Sequence, residues 1–360
     1  MKRIKRIIPF FIILALMMSL FTGCSAGTPA EVEKEETPQQ TTRKIIDMMG
    51  NEVEIPTEVK TVVNLWPSSN EVMVCLGAGD LLVGTMEFVQ KLPWVNAVYP
   101  KIKDVPVMAA NAEELLKVNP DVIITASPDD TEQLIGAGLN AINLMFNDYD
   151  SMRKSVTILG EVLGGEYKVK VDKLIKYIDD SVSLTEETFK DLADKDKPVV
   201  YYIQGQANKG IYATTGGGTI MEQWVKYGGG KYAASDLGKG MQIKDVTPEQ
   251  ILKTNPDIVV IGGPAQHDLY DELMKSAEWQ DINAIKNKKV YKIPNGCFPW
   301  DRFGAESAMQ ILWAATTFHP ELTDIDMVNE VKTFYKDFAG FDMTDEQAKN
   351  MLMGKGPAGE

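Results

Sequence analysis

The phrase EELLKVNPDVII (Glu113–Ile124) returns as EQILKTNPDIVV (Glu249–Val260) without a gap. Glu113 matches Glu249, Lys117 matches Lys253, and Asn119-Pro120-Asp121 matches Asn255-Pro256-Asp257, so Pro120 recurs 136 positions later at Pro256. Solenoid repeats run to roughly 20–50 residues, whereas this spacing is the size of a domain. Charged and turn residues recur together with the apolar ones, which sets the phrase apart from a chance helix–turn–strand connection. The chain therefore reads as two similar lobes, each with a helix that stops at Asn-Pro and feeds a strand.

The rest of the chain fits that plan. VKTVVNL, DLLVGTM and the stretch 121–125 read as buried strands alternating with short helices, the pattern of an α/β domain with a mainly parallel sheet. The second half repeats it, with strands expected in KPVVYYIQG, GIYATT and NKKVYKIP, and an apolar helix ending near Pro320. Between the halves, Leu163, Tyr167, Val171, Leu174, Ile178 and Val182 recur at helical steps, and no proline occurs from Ser151 to Asp196. That spacing predicts a long connecting helix over 161–196, with Gly164-Gly165 as its weak point. The expected organisation is a lobe over 43–160, the connector, a lobe with terminal helices over 197–352, and a tail over 353–360.

The amino end predicts export. Lys2, Arg3, Lys5 and Arg6 precede an apolar run from Ile7 to Leu20, and Phe21-Thr22-Gly23 leads to Cys24. The apolar core is short for a membrane span and has the layout of a secretory leader over 1–23. Cys24 resembles the lipid-accepting cysteine of a bacterial lipoprotein, and the polar, proline-containing 24–42 reads as a tether. Without the leader, 33 basic residues face 51 acidic ones, a net charge of −18. Such a surface repels nucleic acid. The only histidines are His267 and His319, too few for a His-ligated bare metal site. His319, before Pro320, reads as structural. Spacing does not decide whether Cys75 and Cys297 pair.

Each copy of the repeat opens with a helix-start signature, Asn111-x-x-Glu114 and Thr247-x-x-Gln250, which gives Glu114 and Gln250 capping duties. Glu113 and Glu249 need no such duty, and they are left as one exposed acid per lobe.

With DMMGNEVEIP, LGAGDLLVGT, the two E-x-[LI]-L-K-x-N-P-D phrases, ILGEVLGGE and WQDINAIKNKKVYKIP in this order, the chain resembles the substrate-binding proteins of ferric-siderophore, haem and cobalamin ABC importers from about Arg43 to Pro320. The resemblance implies two Rossmann-like α/β lobes joined by one long helix, with cargo between them, no enzymatic activity and no intrinsic cofactor. It implies extracytoplasmic work on the membrane, here through a lipid on Cys24, as a monomer serving a permease and its ATPase. Glu113 and Glu249 match the family's acids that meet permease arginines, and separated charges of this kind orient a transient complex more than they tighten it.

In open parallel sheets ligands sit beyond the carboxyl ends of the strands. There the sequence offers Trp66, Ser68, Met86, Phe88, Ser127, Met145 and Phe146 in the first half, and Gln204, Gln206, Thr215, His267, Phe298, Trp300 and Arg302 in the second. The set is rich in flat and soft side chains, which suits a large, partly aromatic cargo. A ferric siderophore is the first expectation, and haem or a corrinoid the next. His267 is the candidate metal ligand, either completing the coordination of a chelated iron or serving as an axial haem ligand with Met86 or Met145 opposite. The fork of Arg302 suits anionic oxygens. TTGGGT is either an anion-binding loop or a tight turn, and it lacks the lysine of a nucleotide loop. The rival readings are a carboxylate-based lipoprotein enzyme, which leaves the matched glutamates unexplained, and a ligand-sensing lipoprotein.

Overall fold

The structure, a computed structural model, describes residues 41–241, 243 and 247–360; the expected leader, Cys24 and most of the expected tether lie outside these. An antiparallel hairpin comes first, β1 (Thr42–Ile46) and β2 (Glu52–Pro56). The carboxylate of Asp47 holds its turn by accepting from the amides of Met49 and Asn51.

The first lobe follows as β3 (Val62–Asn64), α1 (Pro67–Cys75), β4 (Leu82–Gly84), α2 (Glu87–Gln90), α3 (Pro93–Val98), α4 (Ala112–Val118), β5 (Val122–Thr125), α5 (Pro128–Gly136) and β6 (Ala141–Asn143). Helices α6 (Tyr149–Leu163) and α7 (Gly165–Phe189) lead to the second lobe. It contains β7 (Val199–Ile203), α8 (Ile220–Tyr227), β8 (Lys231–Tyr232), α9 (Pro248–Thr254), β9 (Ile258–Ile261), α10 (Gln266–Lys275), α11 (Asn283–Lys286) and β10 (Val290–Lys292), and closes with α12 (Ser307–Phe318), α13 (Met327–Ala339) and α14 (Asp345–Leu352).

Both main sheets are parallel, in the orders β4-β3-β5-β6 and β10-β9-β7-β8. Strands β3, β5 and β9 are buried along their whole length, which is why they read as unbroken apolar runs rather than alternating ones. In each sheet the chain leaves the two central strands in opposite directions. The crevice between β3 and β5, and that between β7 and β9, are thus the switch points where such folds hold ligands.

The repeated phrase is a structural joint used twice. Asn119 (φ 49°) and Asn255 (φ 42°) end α4 and α9 in the left-handed region, which Asn tolerates better than most residues. Asp121 accepts from the amides of Lys60 and Thr61, and Asp257 from the amide of Val199, so each ties the start of one central strand to its neighbour. The caps differ from expectation on one side. Thr247 and Gln250 form a reciprocal capping box. Asn111 caps α4 alone, because its carbonyl oxygen takes the amides of both Glu113 and Glu114, and Glu114 returns no bond among the described residues.

Two other expectations change. The long connecting helix is α7, shorter at both ends than the expected 161–196: the weak point at Gly164 (φ 66°) and Gly165 (φ 51°) separates it from α6, along which it packs. GIYATT is no strand; Gly210 starts a turn closed by the amide of Ala213, and Thr214 and Thr215 are held by the Tyr232 hydroxyl.

Candidate functional site

Residues that follow the strands of both sheets meet at a seam between the lobes. From β3 the chain emerges as Leu65-Trp66 and turns at once into α1, whose N-cap is Trp66. From β6 it emerges as Met145-Phe146. From the second lobe the segment after β10 crosses over. There Phe303 meets both first-lobe rings, with centroids 6.2 Å from Trp66 and 5.3 Å from Phe146; Trp66 and Phe146 are themselves 5.4 Å apart. Phe303 directly follows Arg302 in the chain, yet the sequence reading did not single it out.

Arg302, beside it, is largely buried. Its Nε donates to Asp301 Oδ1 at 3.0 Å, and its Nη2 donates to Asp301 Oδ2, the Tyr202 hydroxyl and the Gln204 carbonyl at 3.0–3.1 Å. Burial opposes the charge on Arg302, but Asp301 and Tyr202 outweigh it and hold the guanidinium firmly protonated. The ion pair with Asp301 and the reach toward anionic oxygens are therefore not exclusive, because Nη1 has no partner among the described residues. Glycines make this packing feasible: a Cβ on Gly205 would lie 1.5 Å from the Gly262 carbonyl oxygen, and one on Gly262 would lie 1.8 Å from Asp301.

The expected residues separate into three groups. Trp66, Ser68, Phe146, Gln204 and Arg302 lie along or beside the seam, with Met86 half-buried at the start of α2 and Phe88 exposed. Ser127 is occupied as the N-cap of α5. Three others are held elsewhere. Thr215 bonds the Tyr232 hydroxyl at 2.7 Å. Trp300 is fully buried and donates to Glu306. His267 lies on the outer surface, its Nε2 3.0 Å from the Gly354 carbonyl oxygen and its Nδ1 3.0 Å from Lys292, so neither ring nitrogen is free for a metal. In TTGGGT the tight-turn reading prevails: the amides of Gly216, Gly217 and Gly218 are taken by the Gly240 and Gly238 carbonyls and by Glu222.

Behind the aromatic cluster lies a buried polar fastener that the sequence did not announce. Glu71 on α1 reaches into the second lobe and accepts from the amides of Ala305 (2.8 Å) and Glu306 (3.2 Å), the unpaired donors just before α12. Glu306 in turn accepts from the amides of Cys297 and Phe298, from Trp300 and from the Tyr335 hydroxyl. Burial raises both carboxyls, and the charge of Glu306 adds to the rise at Glu71; Glu306 is pushed up to about 7. The Cys75 and Cys297 thiols touch beside them, both free, which answers the pairing question left by spacing. The only hint in the sequence was one acid in the apolar turn NEVMVCLG. Further along the seam, Asn147 accepts from the Ile220 amide and Tyr149 donates to the Ser307 carbonyl.

Glu113 and Glu249 occupy the same place in the two copies, exposed in the first turns of α4 and α9. The Glu249 carboxyl is lowered by its own amide and by Thr247. Glu113 forms no side-chain hydrogen bond or ion pair among the described residues.

A family model described as periplasmic binding protein matches residues 62–296. The chain is 30% identical over 296 residues to the uncharacterized ABC transporter substrate-binding lipoprotein YvrC of Bacillus subtilis, covering 78% of this chain and 87% of the relative. It is 24% identical over 327 residues to the molybdate-binding protein MolA of Haemophilus influenzae, covering 82% and 90%. Among solved structures, a periplasmic solute binding protein of Veillonella parvula superimposes with a TM-score of 0.73 at 23% identity, covering 87% of this chain and 97% of that one.

Proposed function

The chain belongs to the periplasmic binding protein family, as a non-catalytic substrate-binding component of ABC transport, and from that premise we propose that it captures a metal-type cargo outside the cytoplasm and hands it to an importer permease. An iron chelate, a ferric siderophore, is the cargo we favour, held at the seam by Trp66, Phe146, Gln204 and Arg302. A haem or corrinoid would use the same aromatic faces. Molybdate, the ligand named for the Haemophilus relative, is the reading favoured by the donors of Arg302. Cys24 carries the lipid in this proposal, in keeping with the lipoprotein named from Bacillus.

The observation that carries the proposal is the matched pair of exposed acids, Glu113 and Glu249, at equivalent helix starts in the two lobes. Charges placed in this way suit docking on basic residues of a permease, which passes the cargo on under its ATPase. The test is Glu113→Arg with Glu249→Arg. Cellular uptake of radiolabelled ferric chelate should be lost while the purified protein binds the chelate as before. Uptake that survives the double reversal removes the docking role.

A further inference from the structure

Ser68, Glu71, Val72 and Cys75 recur at steps of three and four, so they share one side of α1. Two of them meet the second lobe: Glu71 bonds the amides of Ala305 and Glu306, and Cys75 touches Cys297. Ser68 continues that line one turn toward the helix start, where the segment bearing Arg302 and Phe303 crosses the seam. Ser68 is wholly buried, yet its hydroxyl has no hydrogen-bond partner. The nine-residue helix α1 lacks a side-chain cap, and its first backbone bond runs from the Asn70 amide to the Trp66 carbonyl. The amides of Ser68 and Ser69 are thus also without partners among the described residues. Buried donors left open in this way are rare, and they cost stability unless something fills them.

We infer that the first turn of α1, through the Ser68 hydroxyl and the Ser68 and Ser69 amides, forms with Arg302 Nη1 a subsite for an anionic oxygen of the cargo. The inference rests on the transport reading and adds to it a chemical class. Every open group here can donate, and a helix start favours negative charge. Asp301 balances the charge of Arg302, so recognition comes from aimed hydrogen bonds rather than from net charge, which suits one or two oxygens of a larger species. Phe303 packs against Trp66, the N-cap of this turn, which brings the segment bearing Arg302 to the helix start. The oxygen belongs either to a free tetrahedral oxyanion or to a carboxylate or catecholate on a metal chelate.

Calorimetric titration of the purified protein with sodium molybdate, and separately with ferric citrate, distinguishes these two sources. One probe should bind, and Ser68→Ala should weaken it about tenfold. Because the Ser68 hydroxyl has no internal partner, the same variant should melt no lower than the parent. Arg302→Lys, which keeps the charge opposite Asp301 but loses the fork, should weaken the same probe and serves if Ser68→Ala does not fold. Unchanged affinity in the variant overturns the subsite. Failure of both anionic probes on the parent also overturns it. Titration with cyanocobalamin and haemin then tells whether the transport reading falls too: binding of either retains it, and binding of neither removes it.

Discussion

Replacing Glu71 tests how the two lobes are held together. In Glu71→Ala the amides of Ala305 and Glu306 lose their acceptor in a region without solvent. Each stranded donor costs about 1–3 kcal/mol, and the small cavity adds to the loss, so the total is on the order of 3–5 kcal/mol. Glu71→Gln keeps one acceptor and turns an NH2 toward the other amide, which should forfeit about half of that. Urea unfolding followed by tryptophan fluorescence reads both variants. The midpoints should fall in the order parent, Gln, Ala, with the slope unchanged if the lobes still unfold as one unit. A cost below about 1 kcal/mol for Ala, or a Gln variant weaker than Ala, would falsify the claim that this carboxyl fastens α1 to the start of α12.

Glu306 adds a pH dependence whose sign is set by burial. Its folded pKa, about 7, lies above that of an ordinary glutamate, so the folded protein retains a proton that the unfolded chain releases. Stability from this group is complete below about pH 4.5 and is lost as pH rises to 7, with a slope of at most about 1.4 kcal/mol per pH unit. Glu306→Gln should flatten that slope in urea midpoints measured across the window, and an unaltered slope assigns it elsewhere. At the repeated joint, Asn119→Gly should be neutral or slightly stabilising, because only backbone freedom is at stake. Asn255→Gly should lose about 1 kcal/mol, because the Asn255 side chain also accepts from the Asn283 amide; equal effects in thermal melts would contradict the difference. Cys75 and Cys297 should resist alkylation in the native protein, since both are buried and burial raises both thiols, and should react at once in denaturant. Fast native labelling would show the pocket opening.

What could be read from the sequence followed the range of the interactions. The repeated phrase disclosed the paired lobes because its helix, left-handed Asn and strand act within a dozen residues. Strand ends pointed to Trp66, Phe146, Gln204 and Arg302, since a parallel sheet fixes which end of each strand faces the cleft. His267 was misplaced because the loop after β9 goes straight into α10, and its partners, Lys292 and Gly354, are remote in sequence. Glu71 and Glu306 were missed for the same reason: 235 positions separate the Glu71 carboxyl from the Glu306 amide that it accepts from. The strand expected in GIYATT failed because its edge was claimed by the turn at Gly210 and by Tyr232.

The paired sheets have one more consequence. Val62 stands opposite Val122 in the first, and Val200 opposite Ile258 in the second. Trp66 and Gln204, each four residues further on, are therefore equivalent positions in two similar frames. One is an indole and the other an amide. As they stand, the Trp66 indole packs against Phe146 and Phe303, while the Gln204 amide is taken up by the Met241 carbonyl and by Lys209, so two matching frames end in unlike chemistry and the pair of lobes is not interchangeable.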